Sequence, residues 1–131
     1  MLSDNDIAGM AQRITTALSP VAVGIFGSYA IGSAKDHSDL DLFVILETLQ
    51  RRAARSRAVH RVLFGTLYRI DAQVFTPREF EDTVYDFQSF TWVILRQARL
   101  YHWAEGAERL VPSLAPIVIA SQAYLSSKAF G

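Results

Sequence analysis

Three apolar segments of the chain carry the patterns typical of β-strands. Residues 21–26 form a continuous apolar run rich in β-branched side chains, and residues 40–46 are apolar apart from Asp41. Residues 68–75 alternate, with Ile70, Ala72 and Val74 on one side and mostly polar residues on the other. A continuous apolar run indicates a buried strand, and an alternating run indicates a half-buried one. We therefore predict three strands at these positions.

The N-terminal half also carries helical signals. Ser3 and Asp6 resemble a capping box, and apolar residues then recur at helical spacing to about residue 18. Residues 47–64 lack strong breakers and are followed by Gly65, so they predict a second helix. This segment holds five arginines at partly helical spacing, which indicates either a solvated face or an electropositive surface for a partner protein or for RNA. They are Arg51, Arg52, Arg55, Arg57 and Arg61.

The C-terminal half predicts further helices. Thr76 and Glu79 form a second capping box around Pro77, so a helix is expected over residues 77–85. Apolar spacing predicts another helix from residue 90 to about residue 105, and residues 117–125 suit a short helix or a strand. Together these elements predict an α/β (α+β) fold in which a small mixed β-sheet is flanked by helices. Strand order and strand sense stay open.

Length and composition narrow the class of protein. A chain of 131 residues, half of them hydrophobic, suits a single globular domain over residues 1–131. The net charge of zero argues against a strongly basic surface for long nucleic acids. The absence of cysteine excludes disulfides and thiolate metal sites. No apolar run is long enough for a membrane span or a leader, so we expect a cytoplasmic protein with no membrane partner.

Three aspartates are the candidate catalytic and metal-ligating residues. Asp39 and Asp41 are two residues apart at the start of the second strand, so they share a face. Asp71 lies within the third strand and would join them if the two strands pair. Clustered carboxylates repel one another and need a cation, and Mg²⁺ prefers such oxygen ligands. The alternatives are turn or capping roles for Asp39 and Asp41, and a surface ion pair of Asp71 with Arg69 or another arginine.

Gly27 and Ser28 are the candidate nucleotide-binding residues. They follow the first strand directly, where a sharp turn into a helical segment through residue 34 is expected. Glycine lets a ligand approach the main chain closely. The free N–H groups at the start of a helical turn favour a phosphate, and the Ser28 hydroxyl caps the turn or binds the same ligand.

Gly27 and Ser28, ten further residues, the pair Asp39 and Asp41, and Asp71 on a later strand together resemble the signature of the DNA polymerase beta-like nucleotidyltransferase superfamily. The short chain is similar to its minimal nucleotidyltransferase (MNT) branch over roughly residues 7–101, including a closing helix at residues 96–101. Members are often antitoxins encoded beside a HEPN-domain toxin. One departure is Ile31, which stands where the branch commonly has arginine.

The resemblance implies a metal-dependent nucleotidyltransferase. It would transfer AMP from ATP, with two Mg²⁺ ions, to a hydroxyl, and the implied acceptor is a tyrosine of a cognate HEPN toxin in a type VII-like toxin-antitoxin pair. Asp71 would ligate the metal and help deprotonate the acceptor. The alternatives are transfer to a small-molecule hydroxyl, a non-catalytic module that binds the toxin, and one subunit of a split enzyme.

Overall fold

A computed structural model of the chain describes residues 1–130, so Gly131, the last residue of the predicted domain, lies outside the described residues. In chain order the elements are α1 (Asp4–Leu18), β1 (Ala22–Phe26), α2 (Ser28–Ile31), β2 (Leu40–Ile45), α3 (Arg52–Val62), β3 (Ile70–Phe75), α4 (Pro77–Thr83), α5 (Phe90–Gln97), β4 (Arg99–Trp103), α6 (Ala107–Leu110), a short 3₁₀ turn (Pro112–Leu114) and α7 (Ala115–Phe130).

The strands form one mixed sheet in the order β3-β2-β1-β4. β1 pairs antiparallel with both β2 and β4, whereas β2 and β3 are parallel. The parallel pair is connected through α3, as a parallel connection requires a crossover. The three predicted strands and the predicted fold class, a small mixed sheet flanked by helices, are confirmed.

The fourth strand, β4, was not predicted. The helix expected to run to about residue 105 ends at Gln97, and Ala98 has extended backbone angles (φ −66°, ψ 142°). The closing helix expected at residues 96–101 is therefore wrong from Ala98 onward. The reason is long-range pairing: residues 99–103 satisfy the free edge of β1, with Leu100 opposite Gly24. Such pairing overrides a local apolar spacing that happens to fit a helix.

Side chains of β2 pack into two separate core clusters, one on each face of the sheet. On β2, Leu42 and Val44 pack in the cluster that includes residues of α1 and α3. Phe43 and Ile45 pack in the cluster that includes residues of α4, α5 and α7. Because side chains alternate along a strand, Asp41 projects on the same face as Phe43. The sheet thus presents Asp41 on the side covered by α4, α5 and α7, at the end of the strand.

Local capping signals located two helix starts correctly. Ser3 and Asp6 form the capping box of α1, and Thr76 and Glu79 form that of α4. In contrast, α3 begins at Arg52 and not at residue 47.

The interpretation of Arg55 as part of an exposed arginine face is wrong. Arg55 is 7% exposed. Its Nη1 donates to Glu79 Oε1 at 2.6 Å, which joins α3 to the start of α4. A partner surface on this segment therefore cannot include Arg55.

The C-terminal segment is helical. Residues 117–125, which suited either a helix or a strand, lie within α7. Val118 and Ser121 are buried, and the Ser121 hydroxyl accepts a hydrogen bond from the Leu100 N–H at 2.8 Å. α7 therefore packs against β4. Over the described residues, no helix combines the length and apolarity that crossing a membrane requires.

Candidate functional site

Four strand ends meet at one edge of the sheet. β1 ends there at Phe26, and β2, β3 and β4 begin there. Phe26 is the register partner of Asp41, and Asp41 is the register partner of Asp71. Polar residues distant in sequence are therefore brought side by side along a single edge.

Asp41 and Asp71 lie directly beside each other on parallel strands. Neighbouring strands are about 4.8 Å apart, and residues in register project to the same face. The pairing of the second and third strands, on which the predicted convergence depended, is confirmed. Asp71 is exposed at the start of β3, whereas Asp41 is partly buried.

Asp39 precedes β2 and lies at the exposed margin of this group. Its Oδ1 is 3.4 Å from the Nε of Arg69, and both side chains are substantially exposed. Arg69, a possible partner of Asp71, forms its ion pair with Asp39 instead. Asp71 accepts a hydrogen bond from the Gln73 side chain at 3.3 Å. Arg69 therefore lies beside Asp39 at the margin of the carboxylate group.

The environment of Asp41 disfavours its charge. Burial raises the pKa of the Asp41 carboxyl above the ordinary value of 3.8, and the negative charges of Asp71 and Asp39 raise it further. Each of these three causes acts in the same direction. A carboxylate that faces two others, with no compensating positive charge in direct contact, gains from a bound cation.

The donor set fits a divalent metal ion. Asp39, Asp41 and Asp71 supply only carboxylate oxygens, the ligands that Mg²⁺ prefers. Among the described residues, no three His, Asp or Glu side chains are already arranged as a coordination group. The three carboxylates thus converge without enclosing a common point, and metal ligation by them stays a prediction.

The turn formed by Gly27 and Ser28, called here the glycine-serine turn, lies against Asp41. Gly27 has φ 72° and ψ −155°, in a region that side chains rarely adopt. A Cβ at Gly27 would overlap the Oδ2 atom of Asp41. Glycine is therefore required here both by the backbone conformation and by the close approach of the carboxylate.

The helical segment after the turn is shorter than predicted. α2 starts at Ser28 and ends at Ile31, and Gly32 caps it in a left-handed conformation (φ 81°) instead of the segment continuing to residue 34. Ile31, at the position where the MNT branch commonly has arginine, is 59% exposed. It lines a cavity of about 480 Å³ together with Arg99 and Asp4. None of the three site carboxylates lines this cavity.

A second cavity, of about 300 Å³, opens beside the ion pair of Asp39 and Arg69. It is lined by Asp36, His37, Ser38, Leu67, Tyr68 and Arg69. Its walls come from the loops that lead into β2 and β3, the two strands that carry the carboxylates. The edge is therefore open to solvent on this side.

One residue that contacts the turn, Gln97, was not predicted from the sequence. The side-chain oxygen of Gln97, at the end of α5, accepts a hydrogen bond from the Gly27 N–H at 2.9 Å. The two residues are 70 positions apart. No local pattern marks Gln97, so only the fold could reveal this contact.

Comparison with known proteins links this site to one family. A family model described as the nucleotidyltransferase domain matches residues 9–98. That range contains the glycine-serine turn, all three carboxylates and Gln97. No curated protein matches the chain.

Similarity to solved structures extends along nearly the whole chain at low identity. One is the crystal structure of a toxin-antitoxin with AMP-PNP, with 16% identity and a TM-score of 0.48, covering 99% of this chain and 100% of that one. Two others are mutants of the toxin-antitoxin MntA-HpeT. One has 18% identity and a TM-score of 0.47, covering 99% of this chain and 95% of that one. The second has 14% identity and a TM-score of 0.47, covering 99% of this chain and 100% of that one.

Proposed function

The chain belongs to the nucleotidyltransferase domain family, and from that membership we propose that it transfers AMP from ATP to a hydroxyl group and releases pyrophosphate. The observation that carries the proposal is the register of Asp41 with Asp71 beside Gly27. Carboxylates next to a turn that a phosphate can approach closely are what metal-assisted nucleotidyl transfer requires.

The proposed roles follow from position. The glycine-serine turn binds the β- and γ-phosphates, because the Ser28 hydroxyl and the N–H groups that begin α2 follow Gly27 directly, beside Asp41. Asp39, Asp41 and Asp71 hold two Mg²⁺ ions, for which the raised pKa of Asp41 is the supporting observation. When bound, Mg²⁺ offsets the charge of the triphosphate and makes the acceptor hydroxyl more acidic.

The reaction is an in-line displacement. The acceptor oxygen forms a bond to the α-phosphorus, and the bond from that phosphorus to the oxygen bridging to the β-phosphate breaks. Pyrophosphate leaves with the electron pair. Asp71 receives the hydroxyl proton, since it is the exposed carboxylate at the start of β3 and lies directly beside Asp41. The chain forms no covalent intermediate, so positioning and charge compensation supply the catalysis.

The proposed acceptor is a tyrosine of a partner protein, a HEPN-domain toxin, and the chain is then an antitoxin of a type VII-like pair. The basis is the resemblance to the MNT branch. The exposure of Asp39 and Asp71 at the surface supports an acceptor as large as a protein side chain.

The test is incubation with α-labelled ATP and Mg²⁺, with and without the protein encoded by the adjacent gene. We expect label on a tyrosine of the partner, and none when Asp39 and Asp41 are both changed to alanine. Glu105→Gln, an exposed acid outside the site, is the matched control and should label the partner at the wild-type rate.

Two other outcomes separate the alternatives. A stable complex without label, under conditions where the partner's tyrosines are intact, would contradict transfer and support a non-catalytic toxin-binding module. Label on an added small-molecule alcohol but not on the partner would keep the nucleotidyltransferase chemistry and refute the protein acceptor.

A further inference from the structure

We propose that Gln97 is a positioning residue for the glycine-serine turn. It accepts the Gly27 N–H at 2.9 Å from the last position of α5, and the bond is partly buried. The inference rests on the proposed function, in which this turn binds the β- and γ-phosphates of ATP. In this role, Gln97 strengthens the binding of the triphosphate by the turn, although its own side chain does not contact the nucleotide.

The hydrogen bond continues the sheet where the strands have ended. The last register pair of β1 and β4 is Ile25 with Arg99. Ala98 joins the end of α5 to the start of β4. Beyond the pair of Ile25 with Arg99, therefore, no backbone carbonyl of β4 is available to Gly27. The side-chain carbonyl of Gln97 takes that place. It thereby ties the first residue after β1 to the helix that covers the sheet.

Gly27 is restrained from two opposite sides. On one side its Cα lies against the Asp41 carboxylate, where a Cβ would overlap Oδ2. On the other side it donates to Gln97. Glycine has no side chain to restrict its backbone, so other contacts must hold Gly27 at its φ of 72°. The hydrogen bond to Gln97 holds the peptide between Phe26 and Gly27, and the contact with Asp41 limits rotation at Gly27, so together they orient the chain that enters Ser28.

The direction of the hydrogen bond indicates whether Gln97 positions the turn or competes with a phosphate for the Gly27 N–H. In the sheet order β3-β2-β1-β4, the carboxylates lie on the β2 side of β1, and Gln97 lies next to β4 on the other side. The Gly27 N–H is thus directed away from the carboxylates. A triphosphate bound across Asp41 and Ser28 would leave this hydrogen bond in place.

The test compares Gln97→Met and Gln97→Asn with the wild type. Methionine has a similar length but no acceptor oxygen, and asparagine keeps the amide but cannot reach Gly27. Gln122→Met, at an exposed position of α7, is the matched control. We would measure the dissociation constants of α,β-methylene-ATP and of AMP by calorimetry in the presence of Mg²⁺, together with the melting temperature of each variant.

We expect both Gln97 variants to bind α,β-methylene-ATP about 3- to 10-fold more weakly, the equivalent of one lost hydrogen bond. Binding of AMP, which lacks the β- and γ-phosphates, should change less than twofold. The Gln122 control should match the wild type for both ligands. If the methionine variant does not fold, the asparagine variant decides the question by the same comparison.

Three results would overturn the inference. Unchanged binding of the triphosphate analogue would show that the turn does not need Gln97, and tighter binding would show competition for the Gly27 N–H. Equal weakening of both ligands would indicate a general structural role. If the wild type bound neither ligand, the proposed function itself would fail, which is distinguishable from failure of the role of Gln97 alone.

Discussion

Asp41→Asn removes one negative charge from a group of three neighbouring carboxylates, and we expect it to have opposite effects on activity and stability. The proposed transfer of AMP should fall about a thousandfold or more, because the side chain would no longer offer a charged oxygen to the proposed metal ion. The protein without metal should become more stable at pH 7. The reason is that burial, Asp71 and Asp39 all raise the pKa of Asp41 and so disfavour its ionised form.

The size of the stability gain follows from the positions of the charges. Asp71 is the register partner of Asp41 on the adjacent strand, about 4.8 Å away along the sheet. Two unit charges at about 5 Å interact by about 0.8 kcal/mol when water screens them fully. Asp39 and Asp71 are exposed, so this strongly screened value applies. With two neighbours and partial burial, the free energy of unfolding should rise by about 1–2 kcal/mol at low ionic strength.

The stability gain from Asp41→Asn should depend on pH in a defined direction. In the wild type the folded-state pKa of Asp41 lies above the ordinary value of 3.8, so the folded protein binds this proton more tightly than the unfolded chain. The stability that the protonated group contributes is therefore fully present below pH 3.8 and is lost as pH rises through the folded-state pKa. Asparagine does not ionise, so Asp41→Asn keeps this stability as pH rises. The difference between variant and wild type should be near zero below pH 3.8 and largest at neutral pH.

Urea unfolding with EDTA, over a range of pH and salt, is the assay. Mg²⁺ at ten times its dissociation constant should stabilise the wild type by about 1.4 kcal/mol and the variant by less, which would close or reverse the difference. The control Glu105→Gln should stay within about 0.5 kcal/mol of the wild type. A variant that is less stable than the wild type at pH 7 without metal would refute the reasoning. So would a gain that persists below pH 3.8.

Two further predictions concern the turn and the buried ion pair. Gly27→Ala should destabilise the protein by about 3 kcal/mol or more and abolish ATP binding, since it combines a positive φ with overlap of Asp41 Oδ2. Gly32→Ala, which has a positive φ but open space around it, should cost only about 1–2 kcal/mol. Glu79→Gln should cost about 1–3 kcal/mol in urea unfolding, because it leaves the buried Arg55 without a charged partner.

The last prediction also has a pH signature. Burial raises the pKa of Glu79, but hydrogen bonds from the Thr76 N–H and from Arg55 outweigh it and hold the net pKa below 4.5. The stability from this group is present above pH 4.5 and is lost as pH falls through the lowered pKa. Asp82→Asn, in an exposed pair with Arg78, should change stability by less than about 1 kcal/mol. Equal effects of the two acid substitutions would contradict the argument, as would equal effects of the two glycine substitutions.

The sequence by itself determined the features that depend on neighbours along the chain. Capping boxes and β-branched runs act over a few residues, so the starts of α1 and α4 and the strands β1, β2 and β3 were predictable. The spacing of Asp39 and Asp41 likewise predicted two neighbouring carboxylates, and the charge of Asp39 raises the pKa of Asp41. Gly27 and Ser28 could also be located, because a sharp turn after a strand has a local signature.

Only the tertiary structure decided the features that depend on distant partners. β4 forms because residues 99–103 complete the edge of β1, although their apolar spacing also fits a helix. The parallel register of Asp41 with Asp71 and the bond from Gly27 to Gln97 join segments that no short pattern links. The sequence pattern predicted an exposed Arg55, whereas the packing of α4 near α3 buries it against Glu79. The physical reason is the same in each case: the free energy comes from contacts between segments far apart in the chain, which local propensity does not encode.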